Sequence, residues 1–165
     1  MERKFIVCDP SKCIDCGLCE LACSATKEGV YNPLFSRIHM ARIEPEISMS
    51  VACCLCQEPE CIEACPKNAL TQNKETGLIQ VHNYGYKCDG CGWCMHTCKW
   101  GAIALDPKEG VAMVCDLCEP NEPECVKACP KNALSLATVE EVTRETEKEE
   151  TATLIKEVFK DSGNV

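Results

Sequence analysis

The most informative segment of this chain is Cys88-Asp-Gly-Cys91-Gly-Trp-Cys94-Met-His-Thr-Cys98. Two residues separate its first three cysteines from one another, and three residues precede the fourth. The same spacing recurs near the start of the chain, and two further groups differ from it in the gap before the third cysteine. The four groups are Cys13, Cys16, Cys19, Cys23; Cys53, Cys56, Cys61, Cys65; Cys88, Cys91, Cys94, Cys98; and Cys115, Cys118, Cys125, Cys129. They take up sixteen of the 18 cysteines in 165 residues.

This spacing is typical of a [4Fe-4S] cluster site. A loop with two residues between cysteines can wrap three corners of a cubane, and in the bacterial two-cluster pattern the last cysteine of each motif ligates the neighbouring cluster. Cys65 and Cys129 are each followed by proline, which completes the usual ending of the motif. The sequence therefore predicts clusters held in close pairs.

An internal duplication supports a repeated cluster unit. Ala64–Leu70 and Ala128–Leu134 share the sequence Ala-Cys-Pro-Lys-Asn-Ala-Leu. Short apolar segments on either side of polar turns predict two β-hairpins. Their strands are Ala69–Gln72 with Leu78–Val81, and Ala102–Leu105 with Val111–Val114. With short helices after the cysteine triplets, the predicted fold class is α+β, with two bacterial-ferredoxin-like units of helices and hairpins around the cluster loops.

Composition limits the alternatives. Aromatic residues make up only 5% of the chain, so we expect bound metal to replace much of the core and the metal-free chain to be largely unfolded. The first residues contain no signal peptide, and no apolar run reaches the length of a membrane span, which predicts a cytoplasmic protein without direct membrane insertion. A net charge of −9 argues against nucleic acid as a partner.

Two segments lie outside the motifs. Residues 24–52 form an insertion in which Arg37–Ile43 alternates as a strand does, while Tyr31, Leu34 and Phe35 either cover the clusters or dock a partner. Residues 137–165 predict a helical tail. It begins at a capping box, Thr138-Val-Glu-Glu141. An apolar stripe follows at Leu154, Ile155, Val158 and Phe159.

Zinc is the main alternative metal, since zinc sites also use pairs of cysteines two residues apart. Zinc sites usually separate two such pairs by a long loop, whereas groups one and three compress three ligands into seven residues. Disulfides fit less well, because no secretory signal is present. The sequence contains no constellation typical of substrate chemistry.

Four other residues receive minor roles. Cys8 and Cys54 are left over, and we interpret Cys54 as a free thiol beside a cluster and Cys8 as a thiol without a ligand role. Trp93 and Trp100 flank the third group, and we expect them to shield a cluster from water.

With these motifs in view, the chain resembles the four-cluster iron-sulfur subunits of molybdenum and tungsten oxidoreductases, such as the β-subunits of dimethyl sulfoxide reductase and nitrate reductase. The short length and the stretch from Gly29-Val-Tyr-Asn-Pro33 to Ser36-Arg-Ile38 are more similar to the small electron-transfer subunits of anaerobes. Those subunits accompany tungsten enzymes of the aldehyde ferredoxin oxidoreductase family, including class II benzoyl-CoA reductase, and also carbon monoxide dehydrogenase. The likeness covers about Phe5 to Leu136.

The resemblance implies a nested topology and four [4Fe-4S] clusters. Residues 1–52 and 99–136 would form an outer ferredoxin-like unit with the insertion 24–52, residues 53–98 an inner unit, and residues 137–165 the tail. The implied ligand sets are Cys13, Cys16, Cys19 with Cys129; Cys115, Cys118, Cys125 with Cys23; Cys53, Cys56, Cys61 with Cys98; and Cys88, Cys91, Cys94 with Cys65. Spacing alone leaves open a tandem pairing of groups one with two and three with four. Because Ser24 rather than proline follows Cys23, the exit from the first loop must differ.

The expected function is electron transfer without a catalytic site of its own. Such a subunit would relay single electrons to or from a larger catalytic subunit, a tungsten or molybdenum pterin enzyme by preference, with a further redox subunit or ferredoxin as a second partner. Carbon monoxide dehydrogenase and hydrogenase are alternative partners. A free-standing soluble polyferredoxin is the alternative function.

Overall fold

The computed structural model describes residues 3–43, 47–82 and 87–148. Within these ranges, eight short strands form four two-stranded antiparallel sheets, joined by four short α-helices. In chain order the elements are β1 (Lys4–Cys8), α1 (Leu18–Glu28), a 3₁₀ turn (Pro33–Phe35), β2 (His39–Ile43), β3 (Ile47–Val51), α2 (Glu60–Glu63), β4 (Leu70–Gln72), β5 (Ile79–Val81), α3 (Trp93–Thr97), β6 (Ala104–Leu105), β7 (Ala112–Met113), α4 (Glu124–Lys127) and β8 (Leu134–Thr138). Residues 139–148 are also helical. The predicted α+β class is confirmed.

Both predicted hairpins are present. β4 pairs with β5, and β6 pairs with β7 over a shorter length than expected. Each turn is closed by one side chain that accepts two backbone N–H groups. Asn73 Oδ1 accepts from residues 75 and 76 at 2.8 and 3.2 Å, and Asp106 Oδ1 accepts from residues 108 and 109 at 2.7 and 2.9 Å. Asparagine and aspartate favour such turns because their side chains bond to backbone two residues ahead.

Two strand pairs involve segments that the sequence did not identify as strands. β1 pairs with β8 in the register Lys4↔Thr138 to Cys8↔Leu134, which joins the two ends of the cysteine-rich region. The predicted strand in the insertion is confirmed as β2, and it pairs with β3, which follows it. These pairs bring β1 and β3 into contact beside the first cysteine group.

A proline after the last cysteine accompanies a short helix in the second and fourth groups, whereas α3 of the third group has five residues although Lys99 follows Cys98. Pro66 and Pro130 follow Cys65 and Cys129, and the helices before them, α2 and α4, have four residues each. Proline disfavours the helical conformation in the residue before it, so these helices end early. Ser24 imposes no such limit, and α1 continues for 11 residues to Glu28. The chain therefore leaves the first cysteine loop through a longer helix, which is the difference expected from Ser24 in place of proline.

The core is built largely from cysteines and aliphatic residues. Ala69, Ala102 and Ile38 are almost completely buried. Because many of the core residues are cysteines of the four groups, the packing of the core fits the expected dependence on metal.

The predicted capping box at the start of the tail is confirmed. Thr138 N–H donates to Glu141 Oε2 at 2.8 Å, and Glu141 N–H donates to Thr138 Oγ1 at 3.2 Å. This reciprocal pair satisfies two N–H groups at the helix start. The apolar stripe predicted at Leu154–Phe159 lies outside the described residues. Among those that are described, no helix is long and apolar enough to cross a membrane.

Candidate metal centres

Helix packing determines which cysteine groups meet. α1 of the first group packs on α4 of the fourth, and α2 of the second packs on α3 of the third. An ion pair reinforces each contact. Lys27 Nζ lies 2.7 Å from Asp116 Oδ2, and Lys99 is paired with Glu60. The first group therefore faces the fourth, and the second faces the third.

We give the names sites A to D to the four ligand sets that the resemblance implies. Site A comprises Cys13, Cys16, Cys19 and Cys129; site B comprises Cys23, Cys115, Cys118 and Cys125; site C comprises Cys53, Cys56, Cys61 and Cys98; site D comprises Cys65, Cys88, Cys91 and Cys94. In each set, three cysteines come from one group and the fourth comes from the group that faces it.

All four cysteines of site A line a single cavity. At site B, burial raises the pKa of the Cys115 thiol to about 12, and the neighbouring charges of Cys23 and Cys118 raise it as well. Burial likewise raises the pKa of Cys125, with Cys115, Cys23 and Cys118 as charged neighbours. The thiols of site B are thus mutual neighbours.

Sites C and D are defined by similar interactions. Burial raises the pKa of the Cys61 thiol to about 11, assisted by the charges of Cys98 and Cys56. Burial also raises the pKa of Cys94, whose charged neighbours include Cys88 and Cys65. Cys53 interacts with Cys61, and Cys91 lies in the exposed loop between Cys88 and Cys94.

Interactions between sites place them in a series. Each neighbouring pair of sites is joined by two thiols whose charges act on each other. The joining pairs are Cys19 with Cys125 for A and B, Cys115 with Cys53 for B and C, and Cys61 with Cys94 for C and D. These neighbours link site A to site B, site B to site C, and site C to site D.

A left-handed residue bends each cysteine loop. The residue directly before the second cysteine has a positive φ in all four groups: 57° at Asp15, 50° at Leu55, 70° at Gly90 and 57° at Leu117. This conformation is uncommon for a bulky side chain and costs about 1–3 kcal/mol. Leu55 and Leu117 are buried, so packing of their side chains helps to hold the strained turns.

The shared heptapeptide directs backbone N–H groups toward the last cysteine of its group. In both copies asparagine adopts a left-handed conformation, with φ of 50° at Asn68 and 49° at Asn132. The next residue then donates its N–H to the cysteine sulfur four positions earlier, at 3.3 Å for Ala69 and 3.2 Å for Ala133. Consecutive N–H groups in such a turn form an anion-binding concavity.

The pKa of Cys129 reports this concavity. Burial alone would raise the pKa of the Cys129 thiol. The pKa is lowered instead, because the effect of burial is outweighed by hydrogen bonds from the N–H groups of Lys131, Ala133, Leu134 and Asn132. The turn after Cys129 thus favours the thiolate that iron requires.

Cys98 and Cys23 also accept backbone N–H groups, but from other kinds of segment. Ala102 N–H donates to Cys98 Sγ at 3.4 Å without an intervening proline or asparagine. Cys23 lies inside α1, and its sulfur accepts from the N–H of Arg37 in the insertion at 3.3 Å. An ion pair between Arg37 and Glu28, at 3.0 Å, fixes that part of the insertion on the helix. The insertion therefore supplies the backbone N–H for Cys23. In the two groups that end in proline, that N–H comes from the residue four positions after the cysteine.

Solvent reaches the sites through the second cysteine of each triplet. Cys16, Cys56 and Cys91 are exposed and Cys118 is half-buried. Trp93 and Trp100 are 60% and 57% exposed. Trp100 also lines a cavity with Cys56, Cys61 and Cys98. The expectation that the two tryptophans shield a cluster from water stays a prediction.

Two further contacts at site A were not predictable from the sequence. Ser50 Oγ lies 3.2 Å from Cys19 Sγ and donates to Met40 Sδ at 3.1 Å. Cys8, for which we expected no ligand role, lines the cavity of site A together with the four cysteines of the site. Cys54 lies near Cys56 and Cys98, where a thiol beside a cluster was expected.

The donor chemistry of these sites fits iron-sulfur clusters. Every set consists of four soft thiols, and their mutual charges oppose deprotonation unless a cation binds between them. Among the described residues, which include every cysteine, no group of cysteine, histidine and acidic side chains is arranged to hold a single metal ion.

Comparison with known proteins identifies the family. A family model described as a 4Fe-4S dicluster domain matches residues 46–140. The chain is 36% identical over 140 residues to the aliphatic sulfonate oxidoreductase, polyferredoxin-like subunit, of Pyrococcus furiosus, covering 83% of this chain and 79% of that protein. It is 35% identical over 153 residues to the putative electron transport protein YsaA of Escherichia coli, covering 86% and 94%.

A solved structure is similar over almost the whole chain. The active site complex BamBC of benzoyl coenzyme A reductase contains a chain that is 22% identical, with a TM-score of 0.49 and coverage of 97% of this chain and 98% of that one. The relative from Pyrococcus furiosus is named as a subunit of an oxidoreductase, and the one from Escherichia coli as an electron transport protein. These names confirm the expected electron-transfer role. The chain belongs to the 4Fe-4S dicluster family of iron-sulfur electron-transfer proteins.

Proposed function

We propose that this chain binds four [4Fe-4S] clusters, one at each of sites A to D, and relays single electrons to or from a larger catalytic subunit. The serial arrangement of the four thiol sets is the single observation that carries this proposal. When bound, the clusters supply one-electron redox chemistry. The chain's own residues supply the ligands, the order of the sites and the polarity around the sulfurs.

The contacts between groups support the nested ligand sets over the tandem alternative. Under tandem pairing, Cys23 would serve a cluster of the second group, and Cys129 one of the third. Cys23 instead neighbours Cys115 and Cys125, and Cys129 lines a cavity with Cys13 and others of the first group. We therefore propose residues 53–98 as the inner unit and residues 1–52 with 99–136 as the outer unit.

The chain's backbone tunes the sites. Hydrogen bonds to ligand sulfur stabilise the more negative, reduced state and so raise the reduction potential. Cys129 receives several N–H groups, while Cys16 is open to solvent. Every proposed ligand is a cysteine, so burial and hydrogen bonding are the means by which the protein sets different potentials along the series.

A large oxidoreductase subunit is the proposed partner. The Pyrococcus furiosus relative is named as one subunit of an oxidoreductase, and it is matched over most of its length. The resemblance of the Gly29–Pro33 region to subunits of tungsten enzymes favours a tungsten or molybdenum pterin enzyme in the cytoplasm. Carbon monoxide dehydrogenase and hydrogenase are the alternatives within the same function.

A free-standing polyferredoxin is the second candidate function. The Escherichia coli relative is named only as an electron transport protein, and 94% of its length is covered, so a chain of this size can carry such a name without a stated partner. A carrier would visit several enzymes briefly, whereas a subunit would stay bound to one.

Metal analysis and native isolation test the proposal together. Four cubanes predict about sixteen iron and sixteen acid-labile sulfide per chain in anaerobically prepared protein, with an electron paramagnetic resonance (EPR) signal after reduction by dithionite. Zinc, or iron near half that value, would contradict four clusters. Isolation of the tagged chain from its native cell should yield a stoichiometric large subunit that contains tungsten or molybdenum. A monomer that reduces several unrelated enzymes would instead favour the carrier.

A further inference from the structure

Site A differs from the other sites in having a fifth thiol in its wall. Cys8 lines the same cavity as Cys13, Cys16, Cys19 and Cys129. A cubane has four iron corners, so one of these five sulfurs has no iron to bind when the site is full. Cys8 and Cys13 also lie close enough for the charge of one thiol to act on the other.

Three separate segments of the chain hold Cys8 at this position. It is the last residue of β1 and pairs with Leu134 of β8. The next residue, Asp9, donates its N–H to the carbonyl oxygen of Ala133 at 2.8 Å, and Ala133 is the residue whose N–H reaches Cys129 Sγ. From the other side, Ser50 N–H donates to Cys8 Sγ at 3.3 Å.

The second unassigned cysteine provides a contrast. Cys54 also lies near a site, yet its thiol is directed to the carbonyl oxygen of Ala52, at 3.6 Å. Cys54 lines two cavities, each shared with at most one proposed ligand, whereas the cavity of Cys8 contains a complete set. Both cysteines therefore lie near a cluster site, but only Cys8 lines a cavity together with a complete ligand set.

We propose that Cys8 is a reserve ligand of site A, able to bind the cluster iron in place of Cys13. This inference rests on the proposed function, because it requires a cluster at site A. In the exchange, Cys8 loses its thiol proton and its sulfur bonds the iron, while the sulfur of Cys13 leaves that iron and takes up a proton. No electron is gained or lost, and no oxidant is needed.

Ligand deletion tests the exchange in the full-length chain. A cubane that loses one ligand readily loses the iron at that corner, and the resulting [3Fe-4S] cluster gives an EPR signal in the oxidised state. We expect Cys13→Ala to retain four-iron clusters without that signal, because Cys8 takes the vacant corner. Cys13→Ala/Cys8→Ala should show the signal and lose about one to four of sixteen iron atoms.

Matched variants separate this effect from general damage. Cys13→Ala/Cys54→Ala should behave as Cys13→Ala alone. Cys115→Ala removes the first cysteine of site B, where the nearest cysteines outside the set belong to other sites, and it should lose iron. Equal iron loss in Cys13→Ala with and without Cys8 would overturn the inference, provided that the wild type holds its full iron. Absence of clusters from the wild type would overturn the proposed function itself.

A second measurement avoids deletion of any proposed ligand. Clusters of the wild type and of Cys8→Ala are treated with ferricyanide and an iron chelator, and formation of the [3Fe-4S] signal is followed over time. We expect at least a threefold faster rise in Cys8→Ala, with Cys54→Ala at the wild-type rate. Equal rates in all three proteins would exclude a reserve role even if Cys13→Ala does not fold.

Discussion

Gly90 is the position at which a single methyl group should do most damage to a cluster loop. Its φ is +70°, and a Cβ built on it would lie 2.0 Å from the carbonyl oxygen of Gly110 in the β6–β7 turn. Gly92, two residues away on the other side of Cys91, has a φ of +79° with nothing within 4 Å of the same added atom. Gly90→Ala and Gly92→Ala therefore share backbone strain, and only the first adds a collision.

The structure gives the size of the difference. A left-handed alanine costs about 1–2 kcal/mol in either variant. Relief of the collision requires movement of backbone, because the obstructing atom is a carbonyl oxygen, and overpacking of this kind costs about a further 1–3 kcal/mol. Gly90→Ala should therefore lose about 2–5 kcal/mol of stability.

Anaerobic urea titration followed by the visible absorbance of the clusters measures this loss. With a urea dependence of about 2 kcal/mol per molar, the midpoint should fall by about 0.5–1 M in Gly92→Ala and by about 1–2.5 M in Gly90→Ala. Site D, which contains Cys88 and Cys91, should lose iron first. Equal midpoints for the two variants would refute the reasoning, since strain without collision would then account for both.

Two further predictions concern Ser50, which the sequence analysis did not single out, and Thr138, which it identified from a local capping box. When Cys19 is an ionised cluster ligand, the Ser50 hydroxyl can turn from Met40 and donate to the Cys19 sulfur 3.2 Å away. Ser50→Ala should therefore lower the potential of the site A cluster by about 40 mV, because it removes a hydrogen bond of about 1 kcal/mol. Potentiometric EPR measures the shift, and Ser36→Ala, a buried serine bonded to a backbone carbonyl, should leave the potential unchanged. Thr138→Ala should remove about 0.5–2 kcal/mol of helix capping, seen as faster amide hydrogen exchange confined to residues 139–148. Because backbone bonding to Thr138 lowers the pKa of Glu141, the Glu141 half of the cap is present above the ordinary glutamate pKa and is lost as the pH falls through the lowered value.

Local patterns in the sequence predicted the elements that depend on local interactions. The hairpins β4–β5 and β6–β7 are defined by apolar segments around turns that Asn73 and Asp106 close. The capping box is likewise complete within four residues, Thr138 to Glu141. In each case the residues that interact are neighbours in the chain.

Features that depend on distant contacts were not predictable in this way. β1 and β8 lie more than a hundred residues apart, and neither has a turn that indicates its partner. Cys8 enters the cavity of site A only because that pairing brings it there. Similarly, the N–H group of Arg37 reaches Cys23 only after the insertion folds back on α1. Cysteine spacing indicated the ligands, but the groups around the ligands come from elsewhere in the fold.

Two unfavourable features of the cysteine loops make folding and metal binding interdependent. Leu55 and Leu117 hold a left-handed backbone that an unbound loop would relax, at about 1–3 kcal/mol each. Burial raises the pKa of both Cys53 and Cys115 to about 12, so without iron these thiols remain protonated at neutral pH. Iron must displace those protons, and its binding therefore weakens as the pH falls. The strained backbone and the buried thiols occur in the same loops. The free energy of iron-thiolate bonding therefore also stabilises the folded conformation of those loops.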